Sequence, residues 1–301
     1  MTNAELLTVG ETMALVTGDL AEGTALALSS GGAESNVAIG AAMLGVRSAW
    51  VSRVGDDPFG AMVRDAVASR GVDVGGVRTD PARRTGLMVK QPSPTGSRVF
   101  YYRAGSAASA LSPADLDGAP AARVLHTTGI TPALSASAHA LVEHILDTAA
   151  VASFDVNYRP VLWESKDTAA TVLLRLARRA HIVFVGRDEA ENLWGTSTAE
   201  SVRDLLPDVP HLVVKDGDIE AVEFHGQDVT RVPAKRVEVV EPVGAGDAFA
   251  AGWLTGYLRD QSPAERVAAG HTSAVAVLMS PHDTAAPAAA STITTPEETH
   301  P

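Results

Sequence analysis

Cysteine is absent from the 301 residues, which excludes disulfides and thiolate metal sites and makes a reducing compartment the simplest home. No run approaches the roughly 18 consecutive apolar residues that a membrane span needs. The start MTNAELLTVG passes directly into a strand-like run, with neither a basic segment nor a long apolar stretch, so it does not read as a signal peptide. A cytoplasmic location and no membrane partner are therefore expected. Basic residues are scarce: 24 Lys and Arg stand against 36 Asp and Glu, for a formal charge of −12. Nucleic-acid binders normally leave a basic footprint, so no nucleic-acid partner is expected. Two phosphate-loop patterns are missing as well. No G-x-x-x-x-G-K-[ST] occurs, and a dinucleotide fingerprint would need glycine where Phe249 stands.

What is present is concentrated in residues 237 to 258, VEVVEPVGAGDAFAAGWLTGYL. A β-branched run leads into a glycine turn and then a small-residue helix. Gly244, Ala245 and Gly246 leave backbone N–H groups at a helix N-terminus, where the macrodipole favours an anion such as phosphate. Side chains at 244 or 246 would fill that space. Asp247 stands beside it and would repel a phosphate unless it takes the proton of a hydroxyl that attacks that phosphate. On this segment alone, a helix cap explains Asp247 equally well.

A second stretch, GGAESNVAIGAAMLGVRSAWVSRVGDDPFG at 31 to 60, opens a small-residue helix with Gly31 and Gly32 and ends in the turn Gly55 to Gly60. Together the two stretches resemble the two signature regions of the ribokinase-like (PfkB) carbohydrate kinases, in the same order and at similar separation. The resemblance runs from Gly10 to about Asp283. Within the family it points to the 2-keto-3-deoxygluconate kinase branch, through GETMAL at 10 to 15, GGAESNVAIG at 31 to 40, FYYRAGSAAS at 100 to 109, LHTTGITPALS at 125 to 135 and SFDVNYRPVLW at 153 to 163.

Apolar strand runs alternate with helical patterns along the chain: LLTVG and a helix at about 34 to 44, SAWVSRVG and a helix at about 59 to 70, RVLHTTG and about 135 to 150, VASFDVN and about 167 to 179, then HIVFVG and LVVKDG. Such alternation predicts a mostly parallel central sheet with helices on both faces, a three-layer α/β/α domain over residues 1–283. Asp155, Asn157, Lys215 and the glycine loop all follow strands, so they can converge on one sheet edge. Residues 12–30 and 77–106 break the pattern with short runs around the turn PSPTG, which is hairpin chemistry. The resemblance makes these segments a small β-sheet lid over the sugar, and a homo-oligomer contact. The tail, 284–301, is too poor in large apolar residues to pack and is expected to be disordered.

Tyr101 and Arg103, two apart on a strand, leave the same face. That face is either solvated or turned to a ligand, for which Arg103 offers a guanidinium and Tyr101 a hydroxyl donor. Arg159 precedes Pro160, which holds it extended after a strand. It can present a planar fork to a carboxylate or pair internally with Asp155 or Glu164. The resemblance implies sugar contacts from Tyr101, Arg103, Arg159, Gly32, Asn36, Ile130 and Asp283, with Gly32 allowing close approach. Asn36 as a helix cap stays open. It also implies that Lys215 and Gly217 lie beneath ATP, although Glu220 stands where a further glycine is usual. Glu189 is implied near Mg²⁺, although Gly186 replaces the usual asparagine. On spacing alone Lys215 and Glu189 are solvent-facing charges. Glu241-Pro242 replaces the Asp-Thr or Asp-Pro pair usual before the loop.

The expected function is ATP- and Mg²⁺-dependent phosphorylation of a sugar-acid hydroxyl, with 2-keto-3-deoxygluconate as acceptor, Asp247 as base and residues 244 to 246 as anion site. Fructokinase, ribokinase and 5-dehydro-2-deoxygluconokinase activities remain alternatives, as does a sugar-binding sensor without catalysis.

Overall fold

The computed structural model describes residues 3–93, 96–280 and 284. In chain order the strands are β1 (Leu6–Val9), β2 (Met13–Thr17), β3 (Ala27–Gly31), β4 (Ser48–Gly55), β5 (Val77–Asp80), β6 (Leu87–Ser93), β7 (Gly96–Tyr102), β8 (Val124–Thr128), β9 (Ala152–Asp155), β10 (Ile182–Gly186), β11 (His211–Asp216), β12 (Glu220–His225) and β13 (Asp228–Pro233). The helices are α1 (Ala33–Met43), α2 (Pro58–Ala68), α3 (Ala136–Thr148), α4 (Lys166–Ala177), α5 (Arg187–Trp194), α6 (Ala199–Leu205), α7 (Ala245–Leu258) and α8 (Pro263–Leu278).

Nine strands form one sheet in the order β13-β12-β11-β10-β9-β8-β1-β4-β5. Its pairs from β5 across to β11 are parallel, and only the β11-β12-β13 edge is antiparallel. The apolar runs are continuous because both faces of these strands are covered. In β10, Ile182 and Phe184 enter one core with α1, α7 and α8. Their neighbours Val183 and Val185 enter the opposite core with α4, α5 and α6. Phe184 meets Trp253 of α7 edge to face at 5.3 Å, and both side chains are fully buried. Each such side chain contributes about 1.5–3 kcal/mol through burial alone.

A second sheet of four strands, β3-β2-β6-β7, stands apart from the first. It accounts for most of the two segments expected to form a lid, with one correction. Val77–Asp80, expected in the lid, instead pairs as β5 in parallel with Ser52–Gly55 and forms the edge of the large sheet. The reason is local: Val77 packs against the core containing Val54, Val63 and Val67, so α2 and β5 complete an ordinary β-α-β return to β4. The hairpin β12–β13, the short helices α5 and α6, and α8 add to the expected elements. The segment expected to be a disordered tail falls, apart from Thr284, outside the described residues.

Candidate active site

The C-terminal ends of β1, β8, β9, β10 and β11 open into one cavity of about 640 Å³. Ligands of parallel sheets collect at this edge. Glu11 follows β1, Ile130 follows β8, Asp155 to Arg159 end and follow β9, Gly186 to Glu189 surround the end of β10, and Lys215 lies near the end of β11. Met13, Gly31, Met88 and Tyr101 come from the four-stranded sheet, with Arg103 just past β7, while Gly244, Gly246 and Asp247 come from the start of α7.

Most residues selected from the sequence are brought together here: Gly32, Asn36, Tyr101, Arg103, Ile130, Arg159, Glu189, Lys215, Gly244, Gly246 and Asp247 all line the space. Ala245 and Gly217 do not. The Ala245 N–H donates to the Pro242 carbonyl at 3.4 Å, and Gly217 turns the chain between β11 and β12 at φ +51°. Asp283 lies outside the described residues.

Asp247 is the third residue of α7, whose N-cap is Gly244 at φ +83° with no side-chain cap bond. The capping explanation of Asp247 is thereby removed. Its carboxylate is instead held by two amides: Asn36 Nδ2 donates to Oδ2 at 2.9 Å, and Asn157 Nδ2 to Oδ1 at 3.4 Å. Asn36 likewise does not cap a helix, since it lies inside α1. Burial pushes the Asp247 carboxyl up to about 7; the Asn36 bond opposes this, nearby Asp155 adds to it, and Arg159 and Lys215 oppose it. A carboxyl tuned close to neutrality is suited to exchange a proton with a bound hydroxyl.

The two arginines differ. Arg103 Nη2 pairs with Glu11, a carboxylate only 2% exposed as a residue, and Glu11 also accepts from Ser106 Oγ at 2.5 Å. Arg159 lies on the cavity rim, where its Nη1 donates to the Tyr158 carbonyl at 3.2 Å, and among the described residues it has no carboxylate partner. Neither internal pair considered from sequence forms: Asp155 takes Lys215 instead, with Nζ to Oδ2 at 2.8 Å, and no Arg159–Glu164 pair is found among the described residues. Burial would lower the Lys215 ammonium, but the carboxylates of Asp155, Glu189 and Asp247 outweigh it and raise it. Lys215 and Glu189 are therefore not solvent-facing charges. Glu189 accepts N–H bonds from Tyr158 and from Gly186, the latter at 3.1 Å, and burial followed by Asp155 raises its carboxyl.

The glycines have different reasons. A Cβ at Gly32 would stand 2.4 Å from the Glu11 carbonyl, so the close approach is to the protein's own backbone rather than to a ligand. At Gly246 a Cβ would meet only Lys215 Nζ, at 3.5 Å, which leaves an uncovered space between the helix start and an ammonium.

A family model described as pfkB family carbohydrate kinase matches residues 3–289. The chain belongs to the pfkB family of carbohydrate kinases. It is 36% identical over 294 residues to the 2-dehydro-3-deoxygluconokinase of Bacillus subtilis (strain 168), covering 93% of this chain and 91% of the relative. It is also 35% identical over 254 residues to Fructokinase-1 of Oryza sativa subsp. japonica, covering 81% and 78%. The crystal structure of a PfkB protein from Polaromonas sp. JS666 has a TM-score of 0.82 and 34% identity, covering 90% of this chain and 94% of that one. Both the ribokinase-like fold and the kinase class expected from the two signatures are borne out. For this pfkB kinase, sequence reasoning passed over Glu11 and gave Asn157 no separate task. Glu11 sits inside the GETMAL run, where a carboxylate has no visible partner until β1 and β7 are brought together. Asn157 carried one signal, its place between Asp155 and Arg159, but its positive φ of 40° appears only in the fold.

Proposed function

We propose that this kinase transfers the γ-phosphoryl group of ATP to the terminal hydroxyl of 2-keto-3-deoxygluconate, giving 2-keto-3-deoxy-6-phosphogluconate. The observation that carries the choice of a sugar acid is the uncommitted guanidinium of Arg159 on the rim of a cavity whose other arginine is already answered by Glu11. A substrate carboxylate would give Arg159 an oppositely charged, bidentate partner, which a neutral sugar lacks. Arg103, its charge balanced, suits a neutral keto or hydroxyl oxygen, beside the Tyr101 hydroxyl and over Ile130.

In this reading the acceptor hydroxyl lies against Asp247. As its oxygen forms a bond to the γ-phosphorus, the bond to the ADP oxygen breaks and the hydroxyl proton passes to Asp247. Asn36 and Asn157 hold the carboxylate for that transfer. The helix start at Gly244 and Gly246, with the Lys215 ammonium fixed by Asp155, receives the phosphate charge. Among the described residues no three or more His, Cys, Asp or Glu side chains are grouped to hold a metal ion. Mg²⁺ takes ligands mostly from phosphates and water, and Glu189, with Asp155 and Asp188 lining the same cavity, would hold its water shell. Bound with ATP, Mg²⁺ would supply charge neutralisation. The four-stranded sheet acts as a lid that excludes water.

A second reading, fructokinase, is supported by the 35% identity to the rice enzyme. Residues 3 to 280 are read as one domain with the lid attached. No described helix is long and apolar enough to cross a membrane, and a cytoplasmic homo-oligomer with contacts through the lid is our expectation. The test is incubation with ATP, Mg²⁺ and separately 2-keto-3-deoxygluconate, fructose, ribose or 5-dehydro-2-deoxygluconate, with ADP measured and the product identified by ³¹P NMR. ADP formation and a terminal phosphomonoester with the first acceptor are expected. A preference for fructose or ribose would overturn the sugar-acid assignment.

A further inference from the structure

Outside the cavity, one ion pair joins the two sheets' contributions to it. Lys90 of β6 pairs through Nζ with Glu241 Oε2, and the two side chains are 14% and 17% exposed. Neither residue lines the cavity, yet each is adjacent to a part that does. Lys90 is two residues from Met88, so the two share a face of β6, and Met88 lies across from Tyr101 of β7 in the strand register. Lys90 is also fixed in the sheet, opposite Thr17 of β2 on one side and Val99 of β7 on the other. Glu241 immediately precedes Pro242, Val243 and Gly244, all of which line the cavity at its phosphate end. The second carboxylate oxygen, Oε1, accepts the Val243 N–H at 3.2 Å. The Val240 N–H, one residue earlier, donates to the Leu278 carbonyl at the end of α8 at 2.8 Å. Glu241 therefore has one oxygen on the lid and the other on the loop that leads into the anion site.

We infer that Lys90 and Glu241 are positioning residues that couple the lid to the phosphate loop, so that sugar and nucleotide each bind more tightly when the other is present. A ligand that orders β6 and β7 fixes Lys90, Lys90 fixes the Glu241 carboxylate, and the carboxylate fixes the Val243 N–H and the approach to Gly244. The path works equally well from nucleotide to lid. Thermodynamic linkage requires the same factor in both directions. The inference rests on the kinase assignment, not on which sugar is the acceptor.

The test is calorimetric titration of 2-keto-3-deoxygluconate, and in parallel fructose, into the enzyme with and without saturating AMP-PNP and Mg²⁺. In the wild type the nucleotide analogue should tighten sugar binding by about fivefold or more, and the sugar should tighten the analogue by the same factor. In Lys90→Met and in Glu241→Gln that factor should fall towards one, while the affinity for each ligand alone stays near that of wild type. The double variant should be no worse than either single one, since both remove the same contact. Lys90→Arg keeps the cation and should retain most of the factor, whereas the exchange Lys90→Glu with Glu241→Lys should not restore it, because a lysine at 241 cannot accept the Val243 N–H. An unchanged factor in both single variants, or no mutual tightening in the wild type, would overturn the inference. Failure of the sugar-acid reading would show separately, as binding of fructose but not of 2-keto-3-deoxygluconate, with the coupling then read from fructose.

Discussion

On the rim of the nine-stranded sheet three of the cavity's carboxylates are individually answered, Asp247 by Asn36 and Asn157, Asp155 by Lys215 and Glu189 by two backbone N–H groups, while Arg159 after β9 is exposed and has no carboxylate partner among the described residues. The half formed by the four-stranded sheet is more open. Tyr101 is 41% exposed there, and away from the cavity Tyr102 and Leu28 are 65% and 52% exposed. The difference separates two tasks. Groups held in place before any ligand arrives suit the chemical step, which requires fixed charges at fixed positions. A smaller sheet with fewer buried contacts can move and shape itself around an acceptor.

The largest expected effect lies on the rigid half. Asp247→Asn should lower kcat by about 100-fold or more while sugar binding by calorimetry changes little, and near-wild-type turnover would erase the contrast between the halves. The pH dependence follows from the same residue. With its carboxyl at about 7, the free enzyme's kcat/KM should fall as pH drops below about 7, because the base becomes protonated. Folded Asp247 also holds its proton more tightly than the unfolded chain, whose value is near 3.8. Its contribution to stability is thus complete below about pH 3.8 and lost as pH rises through about 7. Asp247→Asn should therefore stabilise the ligand-free protein at pH 8, on the order of 1 to 4 kcal/mol, with little change at pH 4; thermal melts at both values check this.

On the acceptor side the two arginines sharpen the comparison. Arg159→Ala should raise KM for 2-keto-3-deoxygluconate by about 10- to 150-fold, with KM for ATP scarcely moved. Arg159→Lys should recover only part, since an ammonium lacks the planar fork. Arg103→Ala should do something more. It leaves Glu11 buried without its cation, so the melting temperature should fall as well, whereas Arg159→Ala should leave it unchanged. Equal melting temperatures would mean that the Glu11 pair holds no structural weight.

Gly246→Val should cost on the order of tenfold in ATP affinity, since the added side chain enters the space before Lys215, and sugar affinity should change less. Parallel loss of both ligands would point to a general folding defect. The smallest effect on turnover belongs to the outer face of the small sheet. If that face joins two copies, Tyr102→Asp with Leu28→Asp should shift sedimentation towards a monomer with little loss of kcat. A wild-type monomer at micromolar concentration with full activity would remove this contact from the account.

Much of the rigid half was legible in the sequence because its residues follow apolar strands whose order fixes the edge they reach. Asp155 ends β9, Asn157 follows it and Lys215 lies near the end of β11, so their convergence followed from topology; the glycine loop was expected to follow a strand, but none lies between β13, which ends at Pro233, and α7, and the loop reaches the site as the start of that helix. Partners across long sequence distances were not legible. Nothing near Asp247 marks Asn36 as its hydrogen-bond donor 211 positions away, and nothing near Arg103 marks Glu11. Segment identity failed where composition was neutral: the four residues VRTD of β5 carry no period that distinguishes a lid strand from the edge of the main sheet. Lys90 was invisible for another reason, since a lysine on a half-exposed strand has no sequence sign of the carboxylate it will meet.

The central claim, that a carboxylate-bearing sugar is the acceptor and Arg159 selects it, is most directly tested by kcat/KM for 2-keto-3-deoxygluconate relative to fructose, measured through ADP formation in the wild type and in Arg159→Ala. The account predicts a wild-type ratio well above one that falls by about tenfold or more in the variant. A wild-type ratio below one, or a ratio that Arg159→Ala leaves unchanged, would contradict it.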